Sequence, residues 1–171
     1  QDILRSRFTE LFAIYGIAEN GAAFNDIYQA CLGHGYFQMD GAREICEALY
    51  PHCRLYIATN GNVRTQMSRI HGSGLESFFR EIFVSEAAGE PKPSPVFFNY
   101  AFSRIPDLDK ETTIIIGDSL YSDIKGGHDA GIHTCWINPS GDEAFPGSVK
   151  PDYEIRHLSE LKAIILGEET L

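Results

Sequence analysis

The sequence predicts an α/β fold: a parallel sheet with helices on both faces, preceded by a helical hairpin. Three observations carry this. From about Gly41 onward, short apolar runs alternate with segments of helical periodicity. The clearest run, Ile114-Ile115-Ile116, is continuously apolar, as in strands buried on both faces. The composition is that of an ordinary globular domain, with 171 residues, 43% hydrophobic and 22% charged. A chain of this size buries roughly 70% of its unfolded surface and can build one sizeable core without staples.

The elements follow in order. Leu4, Phe8, Leu11, Phe12 and Tyr15 recur at helical spacing, and Gly16 suits a stop. Phe24, Ile27, Tyr28, Cys31 and Leu32 repeat the pattern up to Gly33 or Gly35. A short joint makes the two a hairpin with an aromatic seam. Residues 41–50 read as a helix and 54–59 as a buried strand. Val63, Met67 and Ile70 mark a helix stopped near Gly72, and Ile82-Phe83-Val84 a second strand. Ser94 and Pro95 are an N-cap and first-turn pair for a helix carrying Phe97, Phe98, Ala101 and Phe102. Thr113 to Ile116 is a third strand, residues 122–130 a helix stopped at Gly131, and His133 to Ile137 a fourth strand. Asp152 to Ile155 reads as a short fifth strand and 158–166 as the last helix. The stretch 138–151, with Pro139, Gly141, Pro146 and Gly147, is the most irregular.

Charge and apolar-run length narrow the partners. The net charge of −10 argues against a nucleic-acid polymer or an anionic membrane as partner. No apolar run approaches the ~20 residues that span a bilayer. Cys31, Cys46, Cys53 and Cys135 form no C-x-x-C pair, and their apolar flanks predict buried free thiols in a reducing, cytoplasmic compartment. The six histidines show no metal-ligand spacing.

In parallel α/β sheets, ligands bind beyond the carboxyl ends of the strands. The first strand ends Thr59-Asn60-Gly61, where a hydroxyl and successive backbone N–H groups can cradle a phosphate. The plain alternative is a turn closing the strand. Next comes Gly89-Glu90-Pro91-Lys92-Pro93, whose prolines restrict the backbone around a lysine suited to fixing a point charge on an anion. The third strand ends Gly117-Asp118-Ser119, with Asp123 five residues after Asp118. Mg²⁺ takes one or two carboxylates, waters and substrate phosphate oxygens, and Asp118 sits where such a cation would. Helix capping by Ser122 or Asp123 would explain Asp123 but not Asp118. The glycines around Gly126-Gly127 lack a dinucleotide-binding spacing and fit close helix–sheet packing.

Together, Thr59-Asn60-Gly61, Lys92 in Pro-Lys-Pro, and Gly117-Asp118-Ser119 with Asp123 resemble the second, third and fourth motifs of the haloacid dehalogenase-like hydrolases. The Cys135-Trp136-Ile137-Asn138 run and the Pro-Lys-Pro segment are most similar to bacterial 5′-nucleotidases of that superfamily. The resemblance implies a Rossmann-like core over residues 36–171 and part of a helical cap over 1–35. It implies a Mg²⁺-dependent phosphatase acting on a small phosphorylated substrate, a nucleoside 5′-monophosphate, through an aspartyl-phosphate. Thr59, Asn60 and Gly61 would hold phosphate oxygens, Lys92 would offset their charge, and Asp118 and Asp123 would bind or orient Mg²⁺. A catalytically inactive phosphatase-like module that binds a phosphorylated ligand or a partner protein is the alternative.

The first motif of that family, an apolar strand ending Asp-x-Asp, has no match. Asp40, in Tyr36-Phe37-Gln38-Met39-Asp40-Gly41, is the nearest candidate, but Ala42 stands where the second carboxylate belongs. The chain also begins at Gln1 inside a helix-like pattern without an initiator Met. The expectation is therefore a C-terminal part of a longer enzyme. The strand bearing the nucleophile would then belong between those leading to Thr59 and Asp118. Alternatively, residues 36–40 close that gap.

Overall fold

The computed structural model describes residues 2–167, with side chains from Ser6 onward; Gln1 and the Leu4 side chain lie outside the described residues. Helix α1 (Asp2–Tyr15) ends at Gly16, whose φ of 64° stops it as the sequence predicts. Helix α2 (Gly21–Gly33) is N-capped by Asn20, whose side-chain oxygen accepts from the N–H groups of Ala22 and Ala23. The aromatic seam forms: the Phe8 and Phe24 ring centroids lie 4.8 Å apart and those of Phe12 and Phe24 5.4 Å. Helix α3 (Ala42–Leu49) follows, then strand β1 (Leu55–Thr59) and helix α4 (Val63–Ser73).

The stop of α4 is Gly74, at φ 69°, rather than Gly72. Gly72 lies inside the helix with the Tyr36 ring packed against it, so its lack of a side chain serves packing rather than a stop: an added Cβ would come within 2.5 Å of the ring. Strand β2 (Phe79–Val84) starts three residues earlier than its apolar core, Ile82-Phe83-Val84, predicts. The short helix α5 (Ser85–Ala88) and helix α6 (Pro95–Phe102) come next, the latter capped by the Ser94 hydroxyl as expected. Strand β3 (Ile114–Gly117) leads into a π-helical turn (Leu120–Lys125) and helix α7 (Gly126–Ala130). Strands β4 (His133–Ile137) and β5 (Tyr153–Ile155) and helix α8 (Leu161–Leu166) complete the order.

Every strand pairing is parallel, but the strands divide into two sheets, β1–β2 and β3–β4–β5. Strand β4 is central in its sheet, and Thr134, Cys135, Trp136 and Ile137 are all buried. Strand β1, although apolar, has no fully buried residue. One core cluster joins Ile45 and Leu49 of α3 to Cys135, Ile137, Ile155 and Leu161. A second joins Phe83 of β2 to Ile115 of β3 through Phe97, Phe98 and Ala101 of α6, and it ties the two sheets together. Phe97 is 0% exposed, and burial of such a side chain contributes about 1.5–3 kcal/mol. Gly127 brings α7 onto the sheet, where an added Cβ would meet Ile115 Cγ2 at 2.4 Å.

Two expectations change. Residues 36–40 form no strand, and Phe37 is 97% exposed, so this segment does not close a gap in the sheet. Gly41 at φ 77° turns the chain directly into α3. All four cysteines are free, but only Cys46 and Cys135 are buried; Cys31 is exposed on α2 and Cys53 half-buried. No described helix is long and apolar enough to cross a membrane.

Candidate active site

The loop after β1 is held by residues from α5, directly after β2, and from the start of α4. Gly61, at φ 147°, donates its N–H to the buried Ser85 hydroxyl at 2.9 Å, and that hydroxyl donates back to the Gly61 carbonyl at 3.2 Å. Glu86 accepts from the Val63 N–H at 2.8 Å, satisfying the start of α4, and Asn62 caps the same helix through Thr65 N at 2.7 Å. Gln66 Nε2 donates to the Asn60 carbonyl at 3.2 Å. The backbone course from Thr59 to Val63 is thus fixed by the side chains of Ser85, Glu86 and Gln66 outside it and of Asn62 within it.

Lys92 arrives from the Pro91–Pro93 segment, across a cis Lys92–Pro93 peptide. Its side chain is 8% exposed. The ammonium donates to Asp123 Oδ1 at 2.6 Å and to the Ala58 carbonyl at 2.6 Å. An ammonium has three donors, so one N–H remains for a ligand in the cleft. A buried lysine held by a carboxylate and a carbonyl is a fixed positive charge, unlike a solvated surface lysine.

Asp118 follows directly after β3 and is exposed, and among the described residues its carboxylate has no hydrogen-bond or ionic partner. Asp123 is 5% exposed. Its Oδ2 accepts from the Ser119 N–H at 3.1 Å while Oδ1 takes Lys92. The cap of the π-helical turn is Ser119, which accepts from Ser122 N at 3.0 Å, so neither Ser122 nor Asp123 caps it. Gly117 makes room for the pair: an added Cβ would lie 2.3 Å from the Asp123 carboxylate.

Thr59, Asn60, Lys92, Asp118 and Asp123 line one cleft of about 290 Å³, with Ala58, Ile116, Gly117 and Ser122. The cleft lies at the carboxyl ends of β1 and β3, which share it without pairing. Gly61 stands behind it, its N–H committed to Ser85 rather than free for a phosphate. Asp40 is exposed outside the cleft. Hard carboxylate oxygens suit Mg²⁺: Asp118 has its full acceptor capacity, while Asp123 is engaged by Lys92 and Ser119 and fits an orienting place. Among the described residues no three His, Cys, Asp or Glu side chains converge on a metal site, so this chain offers a carboxylate pair rather than a full set.

Sequence reasoning passed over Ser85, Glu86, Gln66 and the role of Trp136, whose indole N–H reaches the Asp118 carbonyl at 3.0 Å. Ser85 and Glu86 carried a usable signal, two polar residues directly after an apolar strand end. Gln66 carried none, because its partner is a backbone carbonyl six residues away.

A cleft at parallel strand ends, holding a fixed lysine and two aspartates, suits an anionic ligand beside a divalent cation, and comparison with known proteins gives the family. The family model of haloacid dehalogenase-like hydrolases matches residues 4–137. A protein of Bacillus subtilis (strain 168) named HAD-hydrolase YfnB is 44% identical over 170 residues, covering 99% of this chain and 72% of its own length. The pyrimidine 5′-nucleotidase PynA of Streptococcus pneumoniae is 35% identical over 162 residues, with 94% and 68% covered. The pyrimidine 5′-nucleotidase YjjG of Escherichia coli is 30% identical over 146 residues, with 85% and 62% covered. A crystal structure of YfnB bound to magnesium superposes with a TM-score of 0.87, over 96% of this chain and 72% of that one. The chain belongs to the haloacid dehalogenase-like hydrolases. It spans roughly two thirds of the length of these relatives, between 62% and 72%.

Proposed function

We propose that this chain forms most of a Mg²⁺-dependent phosphatase that hydrolyses a nucleoside 5′-monophosphate. The observation that carries the reading is the convergence of Thr59, Asn60, Lys92, Asp118 and Asp123 on one cleft from three separate segments. Phosphoryl transfer depends mainly on positioning and charge stabilisation, and this cleft supplies both. The Thr59 hydroxyl and the Asn60 backbone hold phosphoryl oxygens. The remaining Lys92 N–H offsets their charge, and Asp118 holds the cation while Asp123 orients it and Lys92. Mg²⁺ bound there would neutralise phosphate oxygens as charge builds on them. The nucleophilic aspartate belongs to a strand from upstream, seated between β1 and β3, and residues 1–35 belong to the cap. The nucleoside monophosphate is supported by the two relatives named pyrimidine 5′-nucleotidases.

The test uses the intact protein with Mg²⁺ and a panel of nucleoside monophosphates, sugar phosphates and a generic phosphate ester. The expected result is phosphate release fastest from nucleoside monophosphates, lost together with Mg²⁺ dependence in Asp118→Asn. Release of phosphate from none of the panel would overturn the reading. Unchanged Mg²⁺ titration and turnover in Asp118→Asn would remove Asp118 from the site.

A further inference from the structure

The Cys135-Trp136-Ile137-Asn138 run has no part in the chemistry above, yet it reaches the site. Trp136 lies on β4 opposite Gly117 of β3, is 6% exposed, and is the single tryptophan of the chain. Its indole Nε1 donates to the Asp118 backbone carbonyl at 3.0 Å. The same peptide unit is held at its other end, where the Ser119 N–H donates to Asp123 Oδ2 at 3.1 Å. A peptide unit is planar and rigid. Hydrogen bonds to both its carbonyl and its N–H fix the orientation of that plane, and with it the backbone at Asp118. The Asp118 carboxylate has no partner of its own among the described residues, so its aim rests on this backbone setting.

We propose that Trp136 is a positioning residue for Asp118: its indole N–H and the Asp123 carboxylate clamp the Asp118–Ser119 peptide unit and present the Asp118 carboxylate to a divalent cation. The inference rests on the reading of Asp118 as the Mg²⁺ ligand. A buried indole N–H needs an acceptor, and many carbonyls would serve. Here the acceptor belongs to a residue that lines the cleft, directly after the strand neighbouring its own. Partners that orient a ligand from behind typically change metal affinity by about 10–100-fold when removed.

The experiment measures Mg²⁺ binding to the intact protein by titration calorimetry, without substrate, in three variants. Trp136→Phe removes the donor and part of the ring. Replacement of Trp136 by β-(3-benzothienyl)alanine keeps the bicyclic shape and removes only the N–H, so it decides the case if the Phe variant fails to fold. Asp118→Asn tests the ligand itself. The expected result is Mg²⁺ affinity roughly tenfold weaker in the benzothienyl variant, with kcat at saturating Mg²⁺ near that of the parent. Wild-type Mg²⁺ affinity in the benzothienyl variant, with binding abolished in Asp118→Asn, would overturn the role of Trp136 alone. Wild-type affinity in Asp118→Asn would overturn the ligand reading and this inference with it.

Discussion

The Asn60 carboxamide holds the Lys92 backbone at both ends. Its Oδ1 accepts from Lys92 N at 2.8 Å and its Nδ2 donates to Lys92 O at 3.1 Å. This is the pattern one strand makes with another, formed here by a side chain. It links the loop after β1 to the Pro91–Pro93 segment, which share no regular pairing.

The first prediction concerns that link. Asn60→Ala removes both hydrogen bonds, and each contributes about 0.5–1.5 kcal/mol. The intact variant should unfold at lower urea and lose turnover through a displaced Lys92. Asn60→Asp, which keeps the acceptor and loses the donor, should fall between. Urea midpoints and turnover of a generic phosphate ester check the order, and a fully stable, fully active Asn60→Ala would contradict it.

Lys92 also has a structural side that its sequence context hides. From the sequence, Lys92→Met is expected to leave the fold intact while removing turnover. In the structure, Lys92 and Asp123 are 8% and 7% exposed, and removal of the cation leaves a buried carboxylate facing the methionine. Breaking such a pair costs about 3–5 kcal/mol. Lys92→Met should therefore be clearly destabilised, and adding Asp123→Asn should recover part of the loss. A double-mutant cycle of unfolding free energies is the check, and both variants should remain inactive.

Gly117→Ala puts a methyl group where the Asp123 carboxylate stands, 2.3 Å away. Overpacking of this kind costs about 1–3 kcal/mol. The carboxylate must move from Lys92 and Ser119, so turnover should fall further than stability alone accounts for. Turnover measured well below the unfolding temperature separates the two effects.

Stability should fall in acid through the β4–β5 tie. Burial pushes the Asp152 carboxyl up, but the N–H and hydroxyl of Thr134, with His133 and His128, carry it below the usual range. The two Thr134 bonds measure 2.8 and 2.9 Å. Glu160 is lowered likewise by the His157 and Arg156 N–H groups. A carboxylate with a depressed folded pKa stabilises the fold above its unfolded value, and that share is lost as pH falls through the folded value. Urea unfolding from about pH 6 to pH 3 should show a declining limb that is shallower in Asp152→Asn.

Thiol reactivity should follow burial. Burial, with a smaller push from Glu160, raises the Cys135 thiol from 9.0 to about 11, and burial also raises Cys46. At neutral pH the native chain should react with a thiol reagent first at Cys31, which is exposed, and at Cys135 only on unfolding. Mass mapping of early adducts decides the order.

The sequence by itself determined the element order, the parallel α/β class and the three strand-end motifs. Their signals are local: apolar runs such as Ile114-Ile115-Ile116, the Ser94-Pro95 start of α6, and Gly16 and Gly131 at helix ends. It placed Gly74, Cys31 and Gly61 less well, because each depends on what another segment brings. The Tyr36 ring packs against Gly72 inside α4, and Ser85 takes the Gly61 N–H. Only the tertiary structure decided that Asn60 holds Lys92, that Asp123 joins Lys92 to Ser119, and that Trp136 reaches Asp118. These bonds join residues between four and thirty-two positions apart, mostly to backbone groups. Every residue carries those backbone groups, so no side-chain pattern marks them, and only packing selects which ones meet.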